Sequence, residues 1–418
     1  MLGVPMSSCR GNRVVVTGIG LRSPIGHTLA AMRTSFLEGR SGIRTMAGWE
    51  GLEGLRTRVG APCDGIDVNE IPRKFSRTMG RVAVLSALAV RDAVGDSGIP
   101  SEVIASPDCG VAFGSTVGST ASQEDFLRPI LNDKSIRGLL ASSYLQFMSH
   151  TCAANIALMF GCKGPLVASC TACTSGSHGV GVAYEQVRFG RAPIFIGGGA
   201  EELHILHAGI FDIMRATSAG YSDTPDKTPR PFDRRRDGLV VGEGAGCLIL
   251  EEYERAKQRG AKMYAEVIGY GSSCNGTHPT NSDPDGICVA INAALRDAQL
   301  APTDIKHINA HATGTDVGDA AEAEAVHRIF GNKVPISALK GYMSHTLGAS
   351  GALESIATIL MMQDGFMAVS KNLDEPDPAL PPLDHVLGSP RQARLDIAMN
   401  NNFAFGGINT SLIFRAVS

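Results

Sequence analysis

Short apolar runs alternate with helical patterns along most of this chain. Residues 109–114 and 194–199 are continuous runs of apolar residues and glycine, typical of strands that are buried on both faces. Residues 87–93 and 179–187 space their apolar side chains as a helix does. Because strands and helices follow one another in this way, the pattern predicts an α/β fold.

The order of these elements repeats in the second half of the chain. The helical stretch 87–93 precedes the strand 109–114, and a second helical stretch at 293–298 precedes a strand at 308–310. By itself this shared order only hints at a duplication, whose break is expected near residue 259 and would divide the chain into a first half at 13–259 and a second half at 260–418. A flexible N-terminal extension is predicted for residues 1–12.

Composition and charge narrow the classes of function. With 418 residues and 44% hydrophobic residues, the chain can bury a large core. Its formal net charge of −3 gives no reason to expect a nucleic-acid or membrane partner. No apolar run reaches the ~18 residues of a membrane helix, and the start lacks the apolar region of a signal peptide. We expect a cytoplasmic protein with reduced cysteines, in which the mixed charges of residues 227–237 form an ion-paired loop.

Cys173 is the first candidate for chemistry. It lies between a short apolar strand at 164–168 and the helix at 179–187, among small residues that would let a substrate carbonyl approach. The N–H groups at the helix start are expected to lower the thiol pKa from about 8.5 toward neutrality. Cys173 is therefore a predicted nucleophile, able to attack a thioester. Cys170 and Cys173 also form a CxxC pair, so that a thioredoxin-like redox site is an alternative, although the short βαβ frame of that motif is absent.

Two histidines have local contexts that suggest catalysis. His311 directly follows the strand at 308–310 and precedes a Thr/Gly turn. His345 follows a strand at 334–339 and Lys340, and it precedes the glycine-rich start of another helix. The remaining histidines are interpreted as structural, namely His27, His150, His204, His207, His278, His307, His327 and His385.

Four motifs together resemble the β-ketoacyl-acyl-carrier-protein synthases, and more narrowly the discrete type II elongating enzymes of fatty-acid and polyketide synthesis. They are residues 171–173, His311-x-Thr313-x-Thr315, Lys340-x4-His345 and residues 402–409. The resemblance extends from residue 14 to residue 412 and includes the motif at 230–246. It implies the thiolase fold, in which two duplicated α/β halves, each with a mixed sheet, form five layers in the order αβαβα.

The resemblance also implies a reaction and assigns residues to it. Cys173 would carry an acyl group, and malonyl-acyl-carrier protein would lose carbon dioxide and attack it. The implied catalytic residues are Cys173, His311, His345, Lys340, Glu322 and Phe405. Thr313, Thr315 and Phe403 are the implied substrate-binding residues. No metal or cofactor is implied, because the substrates are carried on the phosphopantetheine of acyl carrier protein.

Each implied catalytic residue has its own task. The N–H groups of Cys173 and Phe405 would hold the oxyanion, and the N–H groups of His311 and His345 would stabilise the enolate. Lys340 and Glu322 would orient the histidines, or form an ordinary buried ion pair. The hydroxyls of Thr313 and Thr315 would bind the pantetheine arm, and Phe405 would gate the acyl pocket.

Three positions depart from the common family pattern. Ala312, Ser344 and Ala404 stand where glycine is usual, and they add bulk and remove backbone freedom beside the site. They remove no catalytic group, so activity is expected. The departures favour a specialised synthase, for example of polyene or other secondary-metabolite assembly, while ordinary fatty-acid elongation stays open.

Two other classes of protein, a thiolase and a non-catalytic chain-length subunit, would require different residues. A thiolase would need a second catalytic cysteine near the C-terminus, and none lies beyond Cys288. A non-catalytic chain-length subunit usually lacks the nucleophile. A homodimer, and a heterodimer in which this chain is the active half, both remain open.

Docking of an acidic carrier protein would need a basic patch on the surface. The candidate residues are Arg73, Lys74, Arg77 and Arg81. The alternative is that these four residues form an ordinary solvated helix face.

Overall fold

Each half of the chain forms strands and helices in the predicted order. The computed structural model describes residues 11–278, 280 and 282–417. The first half contains β1 (Val14–Arg22), α1 (Leu29–Glu38), β2 (Arg44–Thr45), β3 (Val59–Gly60), α2 (Arg73–Ser76), α3 (Arg81–Ser97), α4 (Ser101–Ile104), β4 (Cys109–Gly114), α5 (Thr120–Asp133), α6 (Ser143–Phe147), α7 (Thr151–Phe160), β5 (Leu166–Val167), α8 (Ser175–Arg188), β6 (Ile194–Glu201), α9 (Ile205–Ile213), β7 (Gly244–Glu252) and α10 (Tyr253–Gln258). The second half contains β8 (Ala265–Cys274), α11 (Pro284–Ala298), β9 (His307–Ala310), α12 (Asp316–Phe330), β10 (Pro335–Ala338), α13 (Lys340–Met343), α14 (Ser350–Asp364), β11 (Phe366–Met367), β12 (Asp384–His385), β13 (Arg391–Gln392), β14 (Ile397–Ala404) and β15 (Ile408–Arg415).

The two halves have the same sheet topology. The strand order is β5-β4-β6-β7-β1 in the first half and β10-β9-β14-β15-β8 in the second. In both, the first three strands are parallel and the last two are antiparallel to their neighbours. The predicted duplication of a mixed α/β unit is therefore present in the fold.

One contact joins the two sheets in a way that the sequence did not predict. β1 and β8 pair antiparallel, with Val14 opposite Val267 and Val16 opposite Ala265. Together with β12 at the far edge, the strands form one sheet of eleven strands. The family resemblance implies a separate mixed sheet in each half, and this pairing over three residues joins the two sheets.

The helices complete the predicted five layers. α8 and α14 pack against each other and contact strands of both halves, while α3 covers β1 and β7 and α11 covers β8 and β15. Glycine permits the central contact, since a Cβ on Gly176 would lie 2.8 Å from the backbone nitrogen of Ala352, and one on Gly351 would lie 2.4 Å from that of Ser177. The layers follow the order αβαβα.

The predicted domain division falls in a connection between elements. α10 ends at Gln258 and β8 begins at Ala265, so the division between residues 259 and 260 lies between them and stays a prediction. Most of the predicted flexible extension, residues 1–10 of 1–12, lies outside the described residues. Among the described residues, no helix has the length and apolar character needed to span a bilayer.

The charged loop at 227–237 is ion-paired, as expected. Arg230 contacts Asp233 at 3.1 Å, and both side chains are buried. Arg234 and Arg236 pair with carboxylates of a neighbouring segment, Glu375 and Asp377.

Candidate active site

Cys173 lies in the central layer, at the start of a helix. Residues Ala172–Thr174 form a 3-10 turn that leads directly into α8, so the predicted strand-to-helix turn is present. Ala172 adopts a φ of 49°, which lets the chain bend sharply before the nucleophile. Only 4% of Cys173 is exposed. The other member of the CxxC pair, Cys170, is exposed and directs its sulfur to the carbonyl of Thr116.

The expectation of a lowered thiol pKa is wrong for this state of the site. Burial raises the pKa of the Cys173 thiol to about 12. The charge of Lys340 and the N–H groups of Phe405 and of Cys173 itself favour the thiolate, whereas Glu201 opposes it. A helix start that would activate an exposed thiol is outweighed here by desolvation, because a thiolate cannot be hydrated inside the protein.

The two candidate histidines come from different loops of the second half and meet. His311 follows β9 directly, and His345 lies between α13 and α14. Their ring centroids are 5.1 Å apart, and the ring planes are nearly perpendicular at 85°. Both rings and Cys173 line one cavity, so the structure brings together the candidate nucleophile and both candidate histidines.

Lys340 connects the histidines to a buried carboxylate. Its ammonium nitrogen donates to the backbone carbonyl of His311, lies 3.4 Å from His311 Nδ1, and pairs with Glu354 at 2.5 Å. Glu354 also accepts from Asn402 Nδ2 at 2.6 Å. Because an ammonium group can only donate, Nδ1 of His311 is the acceptor and Nε2 carries the proton.

Sequence reasoning did not identify Glu354 as the partner of Lys340. The one available signal was a glutamate inside the apolar pattern of α14, where an ionised side chain needs a partner. Nor did it identify Ser350, whose hydroxyl lies 3.0 Å from His345 Nδ1, or Glu201, which is fully buried near Cys173.

Glu322 lies near His311 but contacts backbone rather than the imidazole. Its carboxylate accepts from the backbone N–H of His311 at 2.9 Å and of Ala312 at 2.7 Å. Burial raises the pKa of Glu322 to about 8, although these two N–H groups favour the charged form. Glu322 therefore fixes the turn after β9, which sets the direction of the His311 side chain.

Electrostatics keep both histidines neutral at physiological pH. Burial lowers the pKa of His311 well below its usual value, and Lys340 and His345 lower it further. Burial and then Lys340 do the same to the pKa of His345. Neutral imidazoles can donate an N–H bond without releasing a proton to a nearby carbanion.

The candidate substrate-binding residues surround the cavity and its entrance. The inner space has a volume of about 50 Å³ and is lined by Cys173 and the two histidines, and also by Ala312, Thr313, Thr315, Phe403 and Phe405. An outer pocket of about 430 Å³ shares Thr315 and Phe405 with it. The Thr313 and Thr315 hydroxyls are 3.0 Å apart; Thr313 lines the inner space, and Thr315 lines both.

Phe405 forms part of the boundary between these spaces. Its ring packs on that of Phe211, which sequence analysis did not single out, with centroids 5.5 Å apart. Phe403 packs on His311 instead, at 5.9 Å. The two phenylalanines of this loop therefore face different partners, one at the entrance and one at the histidine pair.

The chain matches the ketosynthase families over most of its length. The family described as beta-ketoacyl synthase, N-terminal domain, matches residues 11–256, and the beta-ketoacyl synthase, C-terminal domain, matches residues 264–374. The chain belongs to the β-ketoacyl synthase family. The predicted family, its thiolase-like fold and its class, an acyl-transferring condensing enzyme, are thereby confirmed.

Similar proteins cover nearly the whole of this ketosynthase. A 3-oxoacyl-[acyl-carrier-protein] synthase 2 of Vibrio harveyi is 36% identical over 97% of this chain and 99% of its own. A solved beta-ketoacyl synthase from Burkholderia phymatum STM815 has 44% identity and a TM-score of 0.95, over 97% of this chain and 100% of that chain.

Two further solved structures are ketosynthases described with partners. The ishigamide ketosynthase/chain length factor has 30% identity and a TM-score of 0.90, and covers 98% of this chain and 100% of its own. A type II polyketide ketosynthase in complex with its acyl-carrier protein, bound to a hexaketide, has 29% identity and a TM-score of 0.89, with the same coverage.

The three departures of this ketosynthase lie around the histidines and the entrance loop. Ala312 is buried, lines the inner cavity and donates its N–H to Glu322. Ser344 is buried with a φ of 62°, and Ala404, the last residue of β14, is half-buried next to Phe405. None of the three takes the place of a polar group that faces Cys173.

Proposed function

We propose that this ketosynthase catalyses the decarboxylative condensation of an acyl group on Cys173 with malonyl-acyl-carrier protein, giving β-ketoacyl-acyl-carrier protein. The observation that carries the proposal is the meeting of a buried thiol and two neutral imidazoles around one cavity, with the buried Lys340 in contact with His311. A thiolase-type reaction through a second cysteine is disfavoured, because Cys173 is the one cysteine among the described residues that lines this cavity.

In the first half-reaction the Cys173 sulfur attacks the carbonyl carbon of an acyl thioester. The carbon–sulfur bond to the carrier breaks, and the released carrier thiol takes the proton that Cys173 gives up. The backbone N–H groups of Cys173 and Phe405 face the sulfur, and we assign them to the oxyanion. Because the resting thiol is protonated, loss of the proton accompanies attack.

In the second half-reaction the malonyl group loses carbon dioxide and becomes an enolate. The enolate carbon attacks the acyl carbonyl on Cys173, the carbon–sulfur bond to Cys173 breaks, and the thiolate that leaves takes a proton from solvent. His311 Nε2–H, oriented by Lys340, and His345 donate to the enolate oxygen. Lys340 and Glu322 act as positioning residues, through the His311 side chain and its backbone.

We propose that acyl carrier protein delivers both substrates on a phosphopantetheine arm through the outer pocket. The ketosynthase in the hexaketide complex binds an acyl-carrier protein. In this chain the pocket is rimmed by Arg215, which is exposed, with Met214 beside it. Of the predicted basic patch, Arg73, Lys74 and Arg77 are exposed. Arg81 is exposed as well, but its guanidinium pairs with the buried Glu243 at 2.5 Å, so we leave it out of the docking surface.

We also propose that a second subunit pairs with the first half along β5. This strand is the edge of the sheet, and Leu166 on it is 44% exposed. An exposed apolar edge strand is normally covered in the assembled protein. A second copy would give a homodimer, and a chain-length-factor-like ketosynthase, as in the ishigamide protein, would give the heterodimer. The acyl chain and the cytoplasmic location stay predictions.

Acylation of the purified chain tests the main proposal. Octanoyl-loaded acyl carrier protein should transfer its acyl group to Cys173, seen as the matching mass increase on the peptide that contains it. Addition of malonyl-acyl-carrier protein should then release carbon dioxide and the β-ketoacyl product. Acylation of a different cysteine would overturn the assignment of the nucleophile.

A further inference from the structure

Ser344, the residue before His345, has an unusual backbone conformation. Its φ is 62° and its ψ is −171°, a region that is essentially restricted to glycine. Two positions after His345, Leu347 also has a positive φ of 46°. Strain of this kind persists where the surrounding structure holds it, and it concentrates at functional sites.

The side chain of Ser344 is fully enclosed and makes no hydrogen bond. The residue is 1% exposed, and its Oγ has no partner among the described residues. It packs directly on Gly242, since a Cβ added there would lie 2.0 Å from that Oγ. This serine gains no hydrogen bond and its backbone is strained. We therefore infer that its side chain contributes to the site by filling space.

That space adjoins the segment that fixes His345. The backbone N–H of His345 donates to the carbonyl of Val240 at 2.8 Å, and Gly242 N–H donates to the His345 carbonyl at 3.0 Å. The N–H of Ser344 is held by the carbonyl of Lys340 at 2.8 Å. Ser344 is thus enclosed between α13, which begins at Lys340, and the segment 240–242 that pairs with His345.

We propose that Ser344 is a positioning residue, whose side chain packs on Gly242 and holds the His345 imidazole in place for decarboxylation. Glycine is usual at this position in the family, but in this chain the Ser344 side chain fills the space beside Gly242. Its removal leaves a gap into which the peptide before His345 can rotate, and the bond between His345 Nδ1 and Ser350 Oγ, 3.0 Å long, loosens. The proposal rests on the proposed function, because it assigns His345 to the second half-reaction.

Replacement by glycine separates strain from positioning. Ser344→Gly removes the strain and is expected to unfold at the same temperature as the wild type or higher. Its decarboxylation kcat on malonyl-acyl-carrier protein should fall about tenfold or more with KM little changed, since small displacements of a catalytic group are costly. Octanoyl transfer to Cys173 should stay at the wild-type rate.

Ser344→Ala is the matched variant, because it keeps the Cβ and removes only the unpartnered hydroxyl. It should keep decarboxylation within about threefold of the wild type, as expected for a hydroxyl without a partner. A Ser344→Gly protein with unchanged kcat overturns the proposal. So does one that loses thermal stability, acylation and decarboxylation together, which indicates a merely structural role.

Crystal structures of the two variants give a readout that does not depend on the substrate. In Ser344→Gly the His345 imidazole should move or occupy two positions, whereas in Ser344→Ala it should stay near Ser350. An imidazole that is unchanged in the glycine variant contradicts the inference. Failure of wild-type Cys173 to accept an acyl group would instead contradict the proposed function, and leaves this test of the imidazole position intact.

Discussion

The two halves of this ketosynthase build the same turn and use it differently. In the first half, the 3-10 turn Ala172–Thr174 leads into α8, and in the second half, Leu347–Ala349 leads into α14. Each turn begins with a positive φ, 49° at Ala172 and 46° at Leu347. Cys173 and Gly348 therefore occupy equivalent positions, one with the thiol that we propose as the nucleophile and the other without a side chain.

The packing around the two turns explains why the site residues are divided between the two halves. A Cβ on Gly348 would lie 2.9 Å from the carbonyl oxygen of Ala200 and 2.9 Å from Ser115 Cα, so the second turn has no room for a side chain. The second half instead places His345 just before its turn, and His311 at the end of its β9. The two halves of the duplicated fold thus line one cavity from two sides. The first half contributes the proposed nucleophile, and the second half contributes the proposed N–H donors.

The largest expected effect comes from removing the nucleophile of the first turn. Cys173→Ala should abolish both acylation and condensation, measured by intact mass and by product formation. Cys170→Ala, three residues away and exposed, is the control and should keep both activities. Acylation that persists in Cys173→Ala would show that another thiol carries the acyl group.

Removing the donors of the second half should separate the two half-reactions. His311→Ala and His345→Ala should still accept an acyl group on Cys173, while decarboxylation of malonyl-acyl-carrier protein falls about 100-fold or more. Carbon dioxide release under single-turnover conditions measures this. Normal condensation in either variant would contradict the proposed role of that histidine in decarboxylation.

Lys340 connects His311 to Glu354 in the second half, and its loss should destabilise the fold. Lys340→Met leaves Glu354 buried without its partner, which costs about 3–5 kcal/mol. Chemical denaturation measures the loss, and adding Glu354→Gln should recover part of it. The variant should also raise the pKa of Cys173, because Lys340 favours the thiolate. Faster alkylation of Cys173 would contradict that.

A side chain at the equivalent position of the second turn should fit poorly. Gly348→Ala places a Cβ against backbone, and overpacking of this kind costs about 1–3 kcal/mol. Gly209→Ala is the matched control, since a Cβ there meets nothing within 4 Å and alanine favours a helix. Equal melting temperatures for the two variants would show that the turns differ less than their packing indicates.

The smallest expected effect concerns the carboxylate between the two turns. Glu201 accepts from Gly348 N–H at 3.2 Å and raises the pKa of Cys173. Glu201→Gln should therefore speed alkylation of Cys173 by iodoacetamide about two- to fivefold at pH 8 to 9. Burial raises the pKa of Glu201 itself to about 7, so the charge that opposes the thiolate, and with it the difference between variant and wild type, should fade as the pH falls below 7. Glu185→Gln, on α8 but exposed, should change nothing.

The local pattern of apolar and polar residues was sufficient to predict the α/β fold and the positions of the motifs in it. Apolar runs predicted β4 and β6, and the strand ends predicted where His311 and Cys173 would lie. The repeated order of helix and strand hinted at the duplicated unit, which the family resemblance implied. Local pattern did not predict the β1–β8 pairing, which joins residues about 250 positions apart.

By itself, the sequence determined the α/β frame, the order of the motifs and the presence of one nucleophile with two histidines. Only the tertiary structure decided that Lys340 pairs with Glu354, that Glu322 holds backbone, and that the Cys173 thiol is protonated at rest. The reason is physical. A pKa depends on burial and on charges brought near through space, and neither is specified by the residues adjacent in the chain.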